Sequence, residues 1–435
     1  MEEQQPKITV IFGPNGSGKT QYAERLRRQL ASNSVRYLAF RDAYGVATDR
    51  AYYLQLRWNQ HDIDEETPLV GTLLDKAYLQ AGDDTSERRA FRDQLYELFA
   101  MQPLLSKYII LLSSGELRKF QLIKTLMAHP KVLILDNPFI GLDAETRQQL
   151  NDLLFQLATQ QAIHIYLLLA KRDDIPAFAD EVITLGEPNS AFGFSPKDAF
   201  TQLVADTPQP TPSEAPVVID MHGVTIRYGI HTILQSLDWQ VRRGEHWSLS
   251  GRNGSGKSTL LSLVCADNPQ SYACDITLFG HQRGSGESIW EIKKRIGYVS
   301  PEMHRSYMRD LPTLNVVASG FKDTVGLYVR PTDAEKALCR RWLSLFGIEH
   351  LADRSFLSLS NGEQRLALVA RAFVKNPDLL ILDEPLHGLD DLNRERVKQI
   401  IECYCRQPEK TMVMVTHYEE DLPKCITHKI HLQRP

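Results

Sequence analysis

Two stretches of this chain are near copies of one another, and that duplication limits what the chain can fold into. Leu359 to Asp390 reads LSNGEQRLALVARAFVKNPDLLILDEPLHGLD, and Leu112 to Asp143 reads LSSGELRKFQLIKTLMAHPKVLILDNPFIGLD. In the later copy Asn361-Gly362 supplies a turn, and Leu366, Val369 and Phe373 then recur at helical spacing. Pro377 ends that helix, and Leu379 to Leu382 is short and apolar enough for a fully buried parallel strand. Ser360 to Asp383 spans 383 − 360 = 23 positions, and Ser113 to Asp136 spans 136 − 113 = 23. Equal internal spacing in both copies predicts a duplicated domain.

Each copy follows a glycine-rich segment. Gly13-Pro14-Asn15-Gly16-Ser17-Gly18-Lys19-Thr20 and Gly251-Arg252-Asn253-Gly254-Ser255-Gly256-Lys257-Ser258 both fit G-x-x-x-x-G-K-[ST]. Glycines at that spacing let backbone N–H groups converge on phosphate oxygens, and the following helix adds its positive end. The lysines Lys19 and Lys257 reach toward the β and γ phosphates, and Thr20 and Ser258 offer hydroxyls to Mg2+. Each loop follows a short apolar strand, Lys7 to Phe12 in the first half.

With the strand-end aspartates, the LS-x-G-E turns and the GLD triplets, these loops give the chain its likeness. It resembles the ATP-binding cassette (ABC) ATPases over nearly its whole length. The resemblance implies an α/β fold of two P-loop ABC-type ATPase domains, each a mostly parallel sheet with a helical subdomain. The second carries an added antiparallel sheet, for which the alternating Val217 to Tyr228 is suited. Only 12 residues precede Gly13, so the first half has no room for that sheet in its usual place. A narrower likeness, carried by Leu278 to Ser300 and by Gly244-Glu245-His246-Trp247, is to the tandem ATP-binding proteins of molybdate transport.

The resemblance also implies ATP and Mg2+ as cofactors. Gly13, Asn15, Gly16, Ser17, Gly18, Lys19 and Thr20 would hold nucleotide in the first half. Gly251, Asn253, Gly254, Ser255, Gly256, Lys257, Ser258 and Thr259 would do so in the second, where Tyr228 would stack on adenine. Thr20, Asp136, Ser258 and Asp383 are the implied Mg2+ ligands. Catalysis falls to Glu384, which polarises the attacking water, to His417 at the γ-phosphate, and to Lys257. The first half has Asn137 where the second has Glu384, and Ala170 where it has His417, so it lacks both groups for rapid cleavage. In the family the halves pair head to tail. Ser113 and Gly115 would then complete the second-half site, and Ser360 and Gly362 the first-half site, in one intramolecular dimer. Ser300-Pro301 stands where transporter ATPases carry a glutamine that couples to the membrane subunit.

The 435 residues suit two domains, expected at 1–204 and 217–435 and joined by a Pro-rich linker at 205–216. Residues 207–216, TPQPTPSEAP, favour polyproline II and could span about 30 Å. A net charge of −4 gives no general attraction to nucleic acid or anionic lipid, so nucleic acid is not indicated as a partner. Short basic runs such as Lys293-Lys294-Arg295 and Arg340-Arg341 read as solvated helix faces. There is no run of 18 apolar residues to span a membrane, and the acidic N-terminus is unlike a secretory signal. The six cysteines lack C-x-x-C spacing. Together these predict a reduced cytoplasmic protein. A permease subunit as partner, and with it a peripheral place on the inner face of the cytoplasmic membrane, is what the resemblance to transporter ATPases implies. The leading expectation is an ATPase (ATP + H2O to ADP + phosphate) serving molybdate transport, with one complete and one degenerate site. The alternative is a soluble ABC ATPase acting as a nucleotide-driven switch on ribosomes or nucleic acid. A third reading, a nucleotide-binding regulator with negligible turnover, fits poorly with Glu384 and His417.

Overall fold

A computed structural model describes residues 8–30, 35–39, 67–112, 114–139, 142, 144–160, 163–186, 196–207, 215–228, 231–251, 255–301, 303, 307, 310–324, 329–416 and 418–433. Its chain divides into two units, residues 1–53 with 62–188 and residues 54–61 with 189–435.

The first unit is built on one parallel sheet. Its strands are β1 (Ile8–Phe12), β2 (Val35–Ala39), β3 (Val132–Asp136), β4 (His164–Leu169) and β5 (Glu181–Thr184). They lie in the order β2-β3-β4-β1-β5. Helix α1 (Lys19–Gln29) follows β1; α2 (Val70–Gln80) and α3 (Ser86–Leu98) form the helical part; α4 (Ser114–Leu126) precedes β3 and α5 (Ala144–Gln160) follows it. Parallel strands are covered on both faces and so read as continuous apolar runs, with alternate residues entering different cores. Leu133 and Leu135 of β3 join the core that includes Leu117, Leu122 and Leu154, whereas Ile134 joins a smaller one with Ile11, Ala23 and Leu168. Among the described residues of this unit, no antiparallel sheet covers the face of the second, smaller core.

The second unit repeats the sheet and adds to it. Helix α6 (Pro196–Ala205) comes first, then β6 (Val217–Tyr228) and β7 (His231–Arg242). These two pair antiparallel, as the alternation of Val217 to Tyr228 predicts. Then come β8 (His246–Gly251), α7 (Lys257–Val264), β9 (Asp275–Leu278), β10 (His281–Gln282), α8 (Ile289–Arg295) and β11 (Ile296–Val299). The unit finishes with α9 (Thr313–Ala318), α10 (Asp333–Leu345), α11 (Asn361–Phe373), β12 (Leu379–Asp383), α12 (Asp391–Cys405), β13 (Thr411–Val415) and β14 (His428–Leu432). The parallel order β11-β12-β13-β8-β14 matches that of the first unit, while β10-β9-β6-β7 make a separate sheet. Here Leu379, Ile381, Val413 and Val415 face the core shared with the antiparallel sheet. Leu380, Leu382, Met412 and Met414 face the helical core around Trp342 and Phe373.

The structure corrects the domain boundary expected at 204/205. Helix α6 belongs to the second unit: Phe200 and Leu203, each 2% exposed, are part of the core that holds Trp342. Phe200 meets the Trp342 ring edge-on at 5.8 Å, and Arg341 pairs with Asp206 at 2.6 Å. Proline content marked the spacer, but the apolar stripe of the helix before it is buried only against residues more than a hundred positions later. Of the expected linker, residues 208–214 lie outside the described residues.

Candidate nucleotide site

In both units a strand ends in a glycine-rich loop that opens a helix, and local sterics explain the glycines. A Cβ on Gly13 would lie 2.3 Å from the Leu185 carbonyl oxygen, and one on Gly251 2.6 Å from that of Leu432. Gly18 and Gly256, at φ 86° and 92°, hold the left-handed turn that starts α1 and α7. Each lysine ammonium lies back across its loop. Lys19 Nζ donates to the Gly13 and Pro14 carbonyls, both at 2.7 Å, and Lys257 Nζ to the Gly251 carbonyl at 2.6 Å. A phosphate oxygen can take over such bonds, with charge assistance. The Ser17 and Ser255 hydroxyl oxygens are buried and have no hydrogen-bond partner among the described residues, so each can donate to an incoming oxygen. Thr20 and Ser258 are exposed at the first turn of their helices, and Thr259 is half-buried behind Ser258.

Beside each loop, the β3 and β12 strands end in the two aspartates. Asp383 is 6% exposed, and Glu384 follows it at φ 52° and 7% exposed. Its N–H donates to the Val415 carbonyl at 3.0 Å, which fixes the left-handed residue just beyond the sheet. Burial, then the neighbouring Asp383 and Asp421 carboxylates, pushes the Glu384 carboxyl up to about 8, while Arg365 and Lys257 act in the opposite sense. The first half keeps this backbone without the carboxylate. Asn137 sits at φ 49°, its N–H bound to the Leu168 carbonyl at 2.9 Å. Its amide donates to Asp136 Oδ1 at 2.8 Å, and the Tyr37 hydroxyl donates to Asp136 Oδ2 at 2.8 Å.

The signature segment has a local cause as well. Ser360 and Glu363 form a capping box at the start of α11: Glu363 N–H donates to Ser360 Oγ at 3.4 Å, and Ser360 N–H to Glu363 Oε2 at 2.8 Å. Ser360 is exposed and Gly362 buried behind it. Gly115 lies in the first turn of α4. The GLD triplet of the second half serves the fold too, since Asp390 caps α12 by accepting from the Asn393 N–H at 2.8 Å. Tyr228 ends β6 half-buried, and its hydroxyl accepts from the Asn268 amide at 3.0 Å. Gly16, Ser113, Asn253, Gly254 and His417 complete the expected set. Of these Gly16 has a left-handed φ of 79°, and Ser113, Asn253, Gly254 and His417 lie outside the described residues. Asn15 is half-buried in its loop.

Three participants escaped the sequence reading. Arg365 is 6% exposed and donates through Nη1 to the Ser300 carbonyl at 3.0 Å, tying the signature helix to the end of β11. Asp421, paired with Arg394, contributes to the field on Glu384. Tyr37 holds Asp136. The arginine had a signal: Arg118 and Arg365 stand equally far beyond Ser113 and Ser360, since 118 − 113 = 5 and 365 − 360 = 5, and both are buried.

A duplicated phosphate loop, strand-end aspartate and signature helix on two matching parallel sheets define the architecture. The family model described as "ABC transporter" matches residues 1–140 and 234–387. The chain belongs to this family. As an ABC ATPase it is an ATP-hydrolysing enzyme. It is 38% identical to the ABC transporter ATP-binding protein ModF of Escherichia coli (strain K12), with 98% of this chain and 93% of that one covered. It is 30% identical to the uncharacterized ABC transporter ATP-binding protein C323.04 of Schizosaccharomyces pombe, over 97% of this chain and 91% of that one. Among solved structures, the complex of archaeal ribosomal stalk protein aP1 and archaeal ribosome recycling factor aABCE1 matches with a TM-score of 0.52. That match has 16% identity, covers 98% of this ABC ATPase and 83% of that chain, and shows a shared fold. No described helix of the ABC ATPase is long and apolar enough to cross a membrane.

Proposed function

We propose that this ABC ATPase turns over ATP at the nucleotide site of its second half and serves as an ATP-binding component associated with molybdate transport. The observation that carries the first part is the exchange of Glu384 for Asn137 on matching left-handed backbone positions. A carboxylate there can orient water and draw its proton; an amide can only hold the water. Lys257 releases the Gly251 carbonyl to bind phosphate, and Ser255 donates its buried hydroxyl. The ionised form of Glu384, itself only 7% exposed, orients the water. His417 acts at the γ-phosphate, as the family likeness implies.

Hard oxygen donors, a hydroxyl at Ser258 and a carboxylate at Asp383, fit Mg2+. In the first half Thr20 and Asp136 offer the same pair. When bound with nucleotide, Mg2+ supplies charge neutralisation across the phosphates. The first half then binds ATP and holds it, with slow cleavage.

The molybdate assignment is supported by the relative named ModF and by the likeness of Leu278 to Ser300 to such proteins. The fold shared with the ribosome recycling factor does not carry a ribosomal partner to this chain, because identity there is only 16%. Glu384→Gln is expected to lower turnover by at least a hundredfold, on the order of 3 kcal/mol of barrier, and to leave ATP binding intact. Asn137→Ala is expected to change turnover by less than twofold. Parental turnover in the Glu384 variant, measured as phosphate release, would show that the carboxylate is not the catalytic one. Affinity capture from native membranes tests the second part: an integral permease supports it, and ribosomes in its place overturn it.

A further inference from the structure

On the second unit's parallel sheet, at the end of the strands away from the phosphate loop, lie groups that nucleotide chemistry does not use. His246 opens β8, Cys405 ends α12, and Cys425 precedes β14. One ligand atom from each lies within 4.8 Å of the others. Met412 of β13 is the register partner of His246, and its Sδ is 3.9 Å from Cys405 Sγ. His246, Cys405 and Met412 are buried, whereas Cys425 is half-buried and gives the cluster a side open to solvent.

The duplication supplies an internal control. Register and spacing place Ile8, Ala158, Ile165 and Phe178 of the first half opposite His246, Cys405, Met412 and Cys425. Ile8 pairs with Ile165 as His246 pairs with Met412. Ile8 N–H is held by the Asp180 side chain at 2.7 Å, and His246 N–H by the Thr427 side chain at 3.0 Å. The four first-half residues simply pack in the apolar core. The same architecture is therefore stable with hydrocarbon at all four places. The second half has instead one imidazole, two thiols and one thioether. A single cysteine in a core needs no explanation; four soft donors at four clustered positions do.

The imidazole is also set up as a ligand. Its Nδ1 lies 3.0 Å from the Cys425 carbonyl oxygen and its Nε2 3.2 Å from that of Lys410. A neutral ring carries one N–H, so only one of those carbonyls receives a bond, and the other nitrogen turns a lone pair toward an oxygen. Metal-bound histidines use that division: one nitrogen donates to a backbone carbonyl and fixes the ring, and the other binds the cation.

We propose that His246, Cys405, Cys425 and Met412 bind one thiophilic cation, Zn2+ or Cu+, at a site separate from the nucleotide. Thiolate, thioether and imidazole donors select these ions over Mg2+ or Ca2+. Coordination converts Cys405 and Cys425 from thiols to thiolates and releases their two protons to solvent; no oxidation occurs. Zinc–sulfur bonds of about 2.3 Å bring tetrahedral donors to within about 4 Å of each other. Rotation of the half-buried Cys425 side chain contracts the cluster to that size. The ion would join α12 and the segment before β14 to strands β8 and β13.

The test uses the full chain, reduced, freed of metal and without nucleotide. It is loaded with Zn2+, or with Cu+ under anaerobic conditions, and desalted against a weak chelator before the metal is counted. One equivalent per chain is expected to remain with one of the two ions, which identifies the cation, and to protect Cys405 and Cys425 from alkylation. Co2+ in the same site is expected to show a thiolate-to-metal absorption band. The double variant Cys405→Ser, Cys425→Ser is expected to lose the ion, the band and the protection. A second variant copies the apolar first half, His246→Ile, Cys405→Ala and Cys425→Phe; it is expected to lose the ion while retaining ATP turnover, which reports its folding. Failure of the parent to retain either ion, or equal retention by a folded variant, would overturn the proposal.

Discussion

Glu384 shows how one residue couples the fold to the chemistry. Its carboxyl is raised to about 8 by burial and by Asp383 and Asp421, against an ordinary value of 4.5. The unfolded chain leaves it near the ordinary value, so the folded state binds the extra proton between those limits. Its contribution to stability is fully present below about 4.5 and is lost as pH rises through about 8. Replacing it with glutamine removes that dependence. Glu384→Gln is therefore expected to gain thermal stability relative to the parent as pH rises from 5 to 8. The gain is on the order of 4 kcal/mol at its upper limit. Paired melting curves across that range check it; a constant offset between the two proteins would mean that the carboxyl ionises normally in the fold. The residue's place after Asp383 was legible, but the shift was not, because it comes first from burial and then, beyond Asp383, from Asp421 in the segment after β13, with Arg365 of α11 opposing it.

At the scale of elements, α11 sits closely on β11, and a glycine makes that possible. A Cβ on Gly297 would lie 2.2 Å from the Ala372 carbonyl oxygen and 2.7 Å from Pro377 Cγ. Backbone cannot yield there as a flexible side chain would. Gly297→Ala is expected to lower the stability of the second unit by about 1–3 kcal/mol, read from denaturant unfolding. Loss of turnover should accompany it, since the Arg365 bond to the Ser300 carbonyl spans the same contact. The helix and strand were each readable from periodicity. Their close approach was not, because Gly297 looks like an ordinary weak point in a strand until the helix above it is known.

For the whole molecule, the consequential difference is where the second unit begins. Phe200 fills a place beside Trp342 in the core of that unit, so Phe200→Ala leaves a cavity there and not in the first unit. A loss of about 3–5 kcal/mol is expected, seen as a lower melting transition of the second unit by Trp342 fluorescence. If the transition belonging to the first unit moved in its place, the assignment of α6 would be wrong.

Local and repeated patterns were enough to determine the duplication, both phosphate loops, the parallel strands and the contrast of Glu384 with Asn137. Each depends on residue type at short, fixed spacing: glycines where a Cβ would strike a strand-end carbonyl, alternating apolar residues on two-sided strands, an acid directly after Asp383. Only the tertiary structure decided what depends on residues distant in sequence. It assigned α6 to the core around Trp342, placed Arg365 under Ser300, and brought His246 beside two cysteines more than 150 positions away. Contacts of that kind follow from strand order and helix packing, and no local pattern carries them.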